Sequence, residues 1–181
     1  MTDIWATDFD QAFRSDRTSI NAKLMPKTVG ILQDRGFIRR GMVILDLGAG
    51  RFDNVIAWGA AEGVKVYPFD PFNRTKSENL RTVEAVRGGQ ADLVMVSNVL
   101  NVIKERKNRQ RVLLQARDAL SSDGVFVAQI YEGNKTGVGE ITQGGKSWQE
   151  NRRTADYLRE VEAVFPDASV KYGLIFSGGA V

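Results

Sequence analysis

Residues 42–47 read Met-Val-Ile-Leu-Asp-Leu, apolar on both faces of an extended chain. A strand with one face in water alternates apolar and polar side chains, whereas an unbroken apolar run requires cover on both faces. The same signature recurs in Leu-Val-Met-Val at 93–96 and Val-Phe-Val-Ala at 125–128. Segments of helical period lie between these runs. Strands separated by helices call for right-handed crossovers, which place the strands in parallel and the helices on both sides of the sheet. The expected fold class is therefore α/β, with a mostly parallel sheet of five to seven strands.

The expected order of elements follows from local signals. A helix spans Leu24 to Gly36, with Pro26 in its first turn and Gly36 at its end. A second helix, Asp53 to Gly63, leads into a strand at 64–70. Residues 73–89 suit a short helix and offer only a poor third strand, so that strand is expected to be short or missing. A helix over roughly 105–120 stops at Ser-Ser-Asp-Gly, and a strand follows to Tyr131. A helix is expected over 151–165 and one last strand over 170–176. The chain of 181 residues reads as a single domain with an N-terminal arm at 1–20. Gly133 to Gln149 holds five glycines in 17 residues without periodicity, which reads as a structureless lid over the site.

Composition removes several chemistries. There is no cysteine and no histidine, so disulfides, thiolate or imidazole metal sites and a cysteine nucleophile are all excluded, and no metal is expected. The apolar runs are far too short to span a bilayer, and the acidic opening MTDIWATDFDQ does not read as a signal peptide. A cytoplasmic protein with no membrane partner is expected. Oligomeric state is not legible. A net charge of +3 permits an anionic partner without demanding one.

In such a sheet, ligands bind beyond the carboxyl ends of the strands where the strand order reverses. The first of these ends is Asp46-Leu47-Gly48-Ala49-Gly50-Arg51-Phe52-Asp53-Asn54. Gly48 and Gly50 permit a tight turn and a close approach by a ligand. A dinucleotide fingerprint would place a third glycine where Asp53 stands, and a carboxylate beside a pyrophosphate is repelled. The second strand ends in Asp70-Pro71-Phe72, with Asp70 twenty residues after Gly50 and suited to a ribose diol. Two carboxylates at these spacings describe a nucleoside with a cationic, phosphate-free tail. That molecule is S-adenosylmethionine, with S-adenosylhomocysteine as its product; NAD or another nucleotide is the competing ligand.

These residues carry a resemblance. Leu45-Asp46-Leu47-Gly48-Ala49-Gly50 resembles the first motif of class I S-adenosylmethionine-dependent methyltransferases, and Asp70 resembles their acidic residue after the second strand. RTSINAKLMP, ILDLGAGRFDN, YPFDPFNR and SNVLNVI together are similar to methyltransferases of phages and of DNA phosphorothioation gene clusters. The resemblance implies a Rossmann-like three-layer sandwich. It further implies that Gly48, Gly50 and Asp53 lie near the methionine moiety, with Asp46, Ala49, Arg51 and Asn54 also at the cofactor. Asp70 would lie at the ribose, Asn98 and Val99 near the adenine or sulfonium, and Pro71 and Phe72 would serve as walls.

Acceptor chemistry is less constrained. Exocyclic-amine methyltransferases of DNA carry [DNS]-P-P-[YF] after their fourth strand, whereas Ser97-Asn98-Val99-Leu100 stands here without prolines or an aromatic. Candidate catalytic residues are Asn98, Glu132 and Tyr131, with Glu132 favoured as a base. Asn101, Trp148, Gln149 and Arg152 are candidates for holding the acceptor, a small molecule or a nucleotide or nucleic-acid group reached through oxygen or nitrogen. The alternatives are a DNA N-methyltransferase and a non-catalytic module that binds the nucleoside. The basic run from Lys104 to Arg117 reads as a solvated face or a phosphate-binding one. Gly139 to Ser147 resembles a phosphate loop with one residue too many and no strand directly before it, a coincidence by our reading.

Overall fold

A computed structural model describes residues 3–14, 24–142 and 144–179. Its centre is a six-stranded sheet in the order β2-β1-β3-β4-β8-β7. β1 (Val43–Leu47) pairs in parallel with β2 (Lys65–Phe69) on one side and β3 (Ala91–Ser97) on the other. β4 (Leu120–Gln129) continues the parallel set, and β8 (Leu174–Ser177) and β7 (Ser169–Lys171) close it antiparallel. From β1 the chain runs through α2 (Asn54–Glu62) to β2 at the edge, then returns through α3 (Lys76–Val86) to β3 on the far side of β1. The reversal opens a crevice beyond the carboxyl ends of β1 and β3, where ligands settle in sheets of this kind.

Successive strand residues divide between two cores. Ile44, Leu93, Met95, Val127 and Phe176 pack with Val29 and Leu32 of α1 (Lys27–Asp34) and Val55 of α2. Leu45, Val94, Val96 and Phe126 face the opposite side, with Val83 and Val86 of α3 and Leu113 and Ala116 of α4 (Arg106–Ala119). This two-sided burial is what the unbroken apolar runs required. The chain shows the expected mixed, mostly parallel α/β architecture, and β2 is the sheet edge because α3 returns straight to β3.

The arm packs on the α4 side of the sheet. Trp5 is 4% exposed, packs edge-on against Phe69 at 5.2 Å, and donates its indole N–H to Asp118 at 2.7 Å. Arg111 of α4 donates to the carbonyls of Asp3 and Ala6, Gln115 to that of Ile4, and Asn108 to that of Asp10. Residues 15–20 of the expected arm lie outside the described residues.

Four expectations need correction. Gly133 to Gln149 is not structureless: β5 (Glu140–Thr142) and β6 (Ser147–Gln149) form an antiparallel hairpin. Gly139 makes room for it, since a Cβ there would sit 2.0 Å from the Trp148 ring. The helix expected over 151–165 is a 3₁₀ turn at Thr154–Tyr157 leading into a short α5 (Leu158–Glu162). Ser121 to Gly124 belongs to β4 rather than ending the preceding helix. The last strand is a hairpin, turning at Tyr172 and Gly173 with φ of 54° and 74°. Two consecutive positive φ values suit a tight hairpin turn, and the β-forming tyrosine hid it from a reading by propensity.

Candidate functional site

The crevice at the strand reversal holds a cavity of about 380 Å³, within the range of small-molecule sites. The glycine turn after β1 forms one wall, with Asp46, Gly48, Ala49, Gly50, Arg51 and Asn54 lining it. Asp70 and Asn73 contribute from the end of β2, and Ser97, Asn98, Val99 and Asn101 from the end of β3. Tyr131, Thr142, Trp148 and Gln149 complete the mouth.

The turn is shaped by close packing. Gly48 has φ of 86°, and a Cβ placed on it would lie 2.3 Å from a methyl of Val99. Its N–H and that of Ala49 both donate to the Phe69 carbonyl, tying the turn to β2. Arg74, only 6% exposed at its side chain, donates to the carbonyls of Gly50 and Phe52, each at 2.8 Å, and pairs with Asp53. Asp53 is 69% exposed and does not line the cavity. The cation that Asp53 meets is Arg74, and its carboxylate stands outside the cavity lining where the sequence reading put it beside the ligand's tail.

Asp70 is buried with both carboxylate oxygens engaged. One accepts from the backbone N–H groups of Phe72 and Asn73, and the other from Gly50, all at 2.9 Å. The Asn73 side-chain amide reaches both. Asp70 is thus the joint between the two ligand-facing turns as well as a cavity wall. Asn79 holds its backbone from α3, through reciprocal bonds of 2.9 Å, and the capping box of Thr75 and Glu78 starts that helix.

Asp46 lies at the cavity floor, 4% exposed, and burial pushes its carboxyl up to about 7. Arg74 opposes that rise and Asp70 adds to it. The carboxyl thus gains or loses its proton near neutral pH, and a cation entering the cavity would favour the ionised form.

Pro71 and Phe72 line a separate small cavity of about 40 Å³ rather than the main one. It shares Gly48, Asp70 and Val99 with the main cavity, and Phe9 and Gln11 of the arm close its outer side. Phe9 packs on Phe72 at 5.8 Å. The arm's contribution is not legible from local pattern: Trp5, Phe9 and Phe13 stand four residues apart as on a helix, yet the described part of the arm forms none.

At the end of β3, Asn98 has φ of 58°, a left-handed conformation that asparagine tolerates better than most residues. Its side-chain oxygen is buried without a hydrogen-bond partner, as is that of Asn101. Asn101 donates to Gln149, whose own amide donates to the carbonyls of Tyr131 and Glu150. Trp148 stacks on Phe13 of the arm at 5.7 Å, with the Lys104 ammonium 4.8 Å from its ring.

Two further candidates stand outside the lining. Glu132 does not line the cavity; it accepts from the Thr154 N–H at 2.7 Å and pairs with Lys135 at 3.0 Å. These partners, the Thr154 bond first, hold its carboxyl down at about 2, which makes it a poor base. Arg152 lies outside the lining as well, bonded to Glu160 and the Asp156 carbonyl and stacked over Tyr157. Two members of the basic run are structural, while Lys104, Arg106, Lys107 and Arg117 are exposed. Arg109 pairs with Glu160 at 2.8 Å and is 7% exposed at its side chain, and Arg111 straps down the arm. The near-miss phosphate loop is the β5–β6 hairpin, with no helix after it to receive an anion.

Comparison with known proteins supports the fold. No family model matches the chain, and no curated protein matches it. Among solved structures, it is similar to the 1,6-didemethyltoxoflavin-N1-methyltransferase of Burkholderia thailandensis, which has 1,6-didemethyltoxoflavin and S-adenosylhomocysteine bound. The TM-score is 0.59 at 15% identity, covering 83% of this chain and 76% of that one. It is also similar to the S-adenosylmethionine-dependent methyltransferase SibL in its apo form, with a TM-score of 0.57 at 19% identity over 82% of this chain and 53% of that one. A third is phosphoethanolamine N-methyltransferase 2 of Haemonchus contortus, with phosphomonomethylethanolamine and S-adenosylhomocysteine. Its TM-score is 0.54 at 15% identity, over 83% of this chain and 40% of that one. The chain thus spans from two fifths to three quarters of these proteins' lengths. It shares their Rossmann-like α/β fold.

Proposed function

We propose that this protein is an S-adenosylmethionine-dependent methyltransferase acting on an oxygen or nitrogen of a small-molecule or nucleotide-type acceptor. The observation that carries this reading is the main cavity at the strand reversal, where the glycine turn, Asp46 and Asp70 converge. Carboxylates there suit a cationic sulfonium and amine better than a pyrophosphate, which favours S-adenosylmethionine over NAD. The methionine part would lie along residues 48–51 above Asp46. The ribose would meet Asp70 and Asn73, and the adenine would face Val99 and the small cavity of Pro71 and Phe72. The named ligands of the structural neighbours support the same cofactor. The narrower kinship with methyltransferases of phages and phosphorothioation clusters rests on the sequence segments alone.

Methyl transfer needs the donor carbon, its sulfur and the acceptor in line, in a space that excludes water. The β5–β6 hairpin and the arm would supply that enclosure through Trp148 and Phe13. Arg109 and Arg111 serve the chain's own packing, and the small-molecule acceptors named for the structural neighbours support a small acceptor here. Among the described residues, no helix is long and apolar enough to cross a membrane.

Calorimetric titration with S-adenosylmethionine, S-adenosylhomocysteine and NAD tests the cofactor, and tighter NAD binding overturns it. Transfer of a tritiated methyl group to DNA, tRNA or a metabolite extract tests catalysis. Intact binding without transfer to any pool favours the non-catalytic module instead.

A further inference from the structure

Arg74 sits behind the glycine turn with all of its guanidinium nitrogens engaged. Nε donates to the Gly50 carbonyl and Nη2 to that of Phe52, both at 2.8 Å, while Nη1 pairs with Asp53. The side chain is 6% exposed and stands outside the lining of the main cavity, whereas Gly50, Arg51 and Phe52 all belong to it. The Arg74 backbone N–H donates to the Asp70 carbonyl at 3.2 Å, which anchors the arginine at the end of β2. Asp70 in turn accepts from the Gly50 N–H. Gly50 is therefore gripped at both its backbone donor and its backbone acceptor. Across a trans peptide the C=O and the N–H point in opposite directions, so drawing the Gly50 carbonyl onto Arg74 turns the Arg51 N–H away from it.

The arrangement is costly to the fold. A buried cation needs compensation, yet its partner Asp53 is 69% exposed. Asp53 also stands at the N-cap of α2, where an aspartate ordinarily accepts from the backbone of the first turn, and its side chain makes no such bond. The carboxylate serves the arginine instead of the helix. We infer that Arg74 is a positioning residue, which together with Asp53 fixes the backbone of Gly50 to Phe52 in the form that receives the amino-acid tail of the cofactor. The inference rests on the cofactor reading of the main cavity. The guanidinium also favours the ionised form of Asp46, so its field acts at the same end of the ligand. The adenosine part is assigned to Asp70, Asn73 and Val99, outside the stretch that the guanidinium holds. A lysine has one charged atom where Arg74 uses a planar fork, and it cannot hold two carbonyls and a carboxylate in that geometry.

The test compares two ligands by calorimetry on the full chain: S-adenosylhomocysteine, and methylthioadenosine, which lacks the amino-acid tail. Arg74→Met should weaken S-adenosylhomocysteine about tenfold or more and leave methylthioadenosine within about twofold, as expected when charge-assisted bonds that shape only the tail's site are lost. Arg74→Lys should lose as much, and a lysine that restores full affinity overturns the inference. Equal losses on the two ligands also overturn it, because a residue that merely supports the fold does not discriminate the tail. Unchanged affinity for S-adenosylhomocysteine does the same. Should the Arg74 variants fail to fold, Asp53→Asn at its exposed position decides. A loss of about threefold confined to S-adenosylhomocysteine upholds the inference, and an equal or absent effect overturns it. A native chain that binds neither ligand overturns the cofactor reading and the inference with it. A native chain that binds both alike gains nothing from the tail, which overturns the inference and spares the nucleoside site.

Discussion

Replacing Asp70 by asparagine keeps the shape of the side chain and removes one acceptor position. In the native chain one carboxylate oxygen serves the N–H groups of Phe72 and Asn73, and the other serves Gly50. An amide has a single oxygen. The cheaper arrangement keeps the pair at Phe72 and Asn73 and turns Nδ2 toward the Gly50 N–H, donor against donor. Gly50 is buried and water cannot replace the lost acceptor. Leaving that N–H unmade costs roughly 1–3 kcal/mol, and the two surviving bonds lose their charge assistance. About 3 kcal/mol of stability should be lost, which for a domain of this size lowers Tm by roughly 6–12 °C. Urea unfolding of Asp70→Asn gives the number directly, because an unchanged slope assigns the shift in midpoint to the native state. A loss under about 0.5 kcal/mol would refute the reasoning that Asp70 joins the two turns. Calorimetry on the folded variant then asks the separate question of the ribose. S-adenosylmethionine should bind about tenfold or more weakly, while unchanged affinity would leave Asp70 a purely structural joint.

Asp46 makes stability depend on pH. Its folded value of about 7 stands above the ordinary 3.8, so its contribution is intact below about pH 4 and is lost as pH rises toward 7. The loss is on the order of 4 kcal/mol, and Asp46→Asn should flatten that slope between pH 4 and 8 in urea titrations. S-adenosylmethionine affinity should rise across the same interval, and pH-independent affinity would refute the claim that Asp46 ionises against the ligand. Gly48→Ala should abolish cofactor binding through its positive φ and its clash with Val99, and adding Val99→Ala should restore part of it, read by calorimetry. Glu132→Gln should leave the rate of methyl transfer within about twofold, corresponding to about 0.4 kcal/mol; a loss of a hundredfold would reinstate Glu132 as the base. Trp5→Ala should cost about 3–5 kcal/mol by emptying the packing beside Phe69, and a stability change near zero would show that the arm is not part of the core.

The local sequence was enough to determine β1 to β3, the apolar part of β4, α1 to α4 and the turn on which the ligand site is built, but not the β5–β6 and β7–β8 hairpins or the 3₁₀ turn before α5. Each rests on short-range physics: apolar runs that demand cover on both faces, Gly63 closing α2 in a left-handed conformation, and Gly48 turning the chain with φ of 86°. The absence of a third strand was legible for the same reason, since residues 74–90 hold a helical period and no second apolar run. The pairing of polar groups across the chain was decided only by the tertiary structure. Asp53 and Arg74 lie 21 residues apart, Glu132 and Thr154 lie 22 apart, and Asn101 and Gln149 lie 48 apart. A carboxylate's partner depends on which distant donor the fold brings within 3 Å, and no local pattern encodes that distance. The arm follows the same rule: Trp5, Phe9 and Phe13 stand four residues apart but form no helix, and they acquire a place only once Phe69, Phe72 and Trp148 have been assembled beside them.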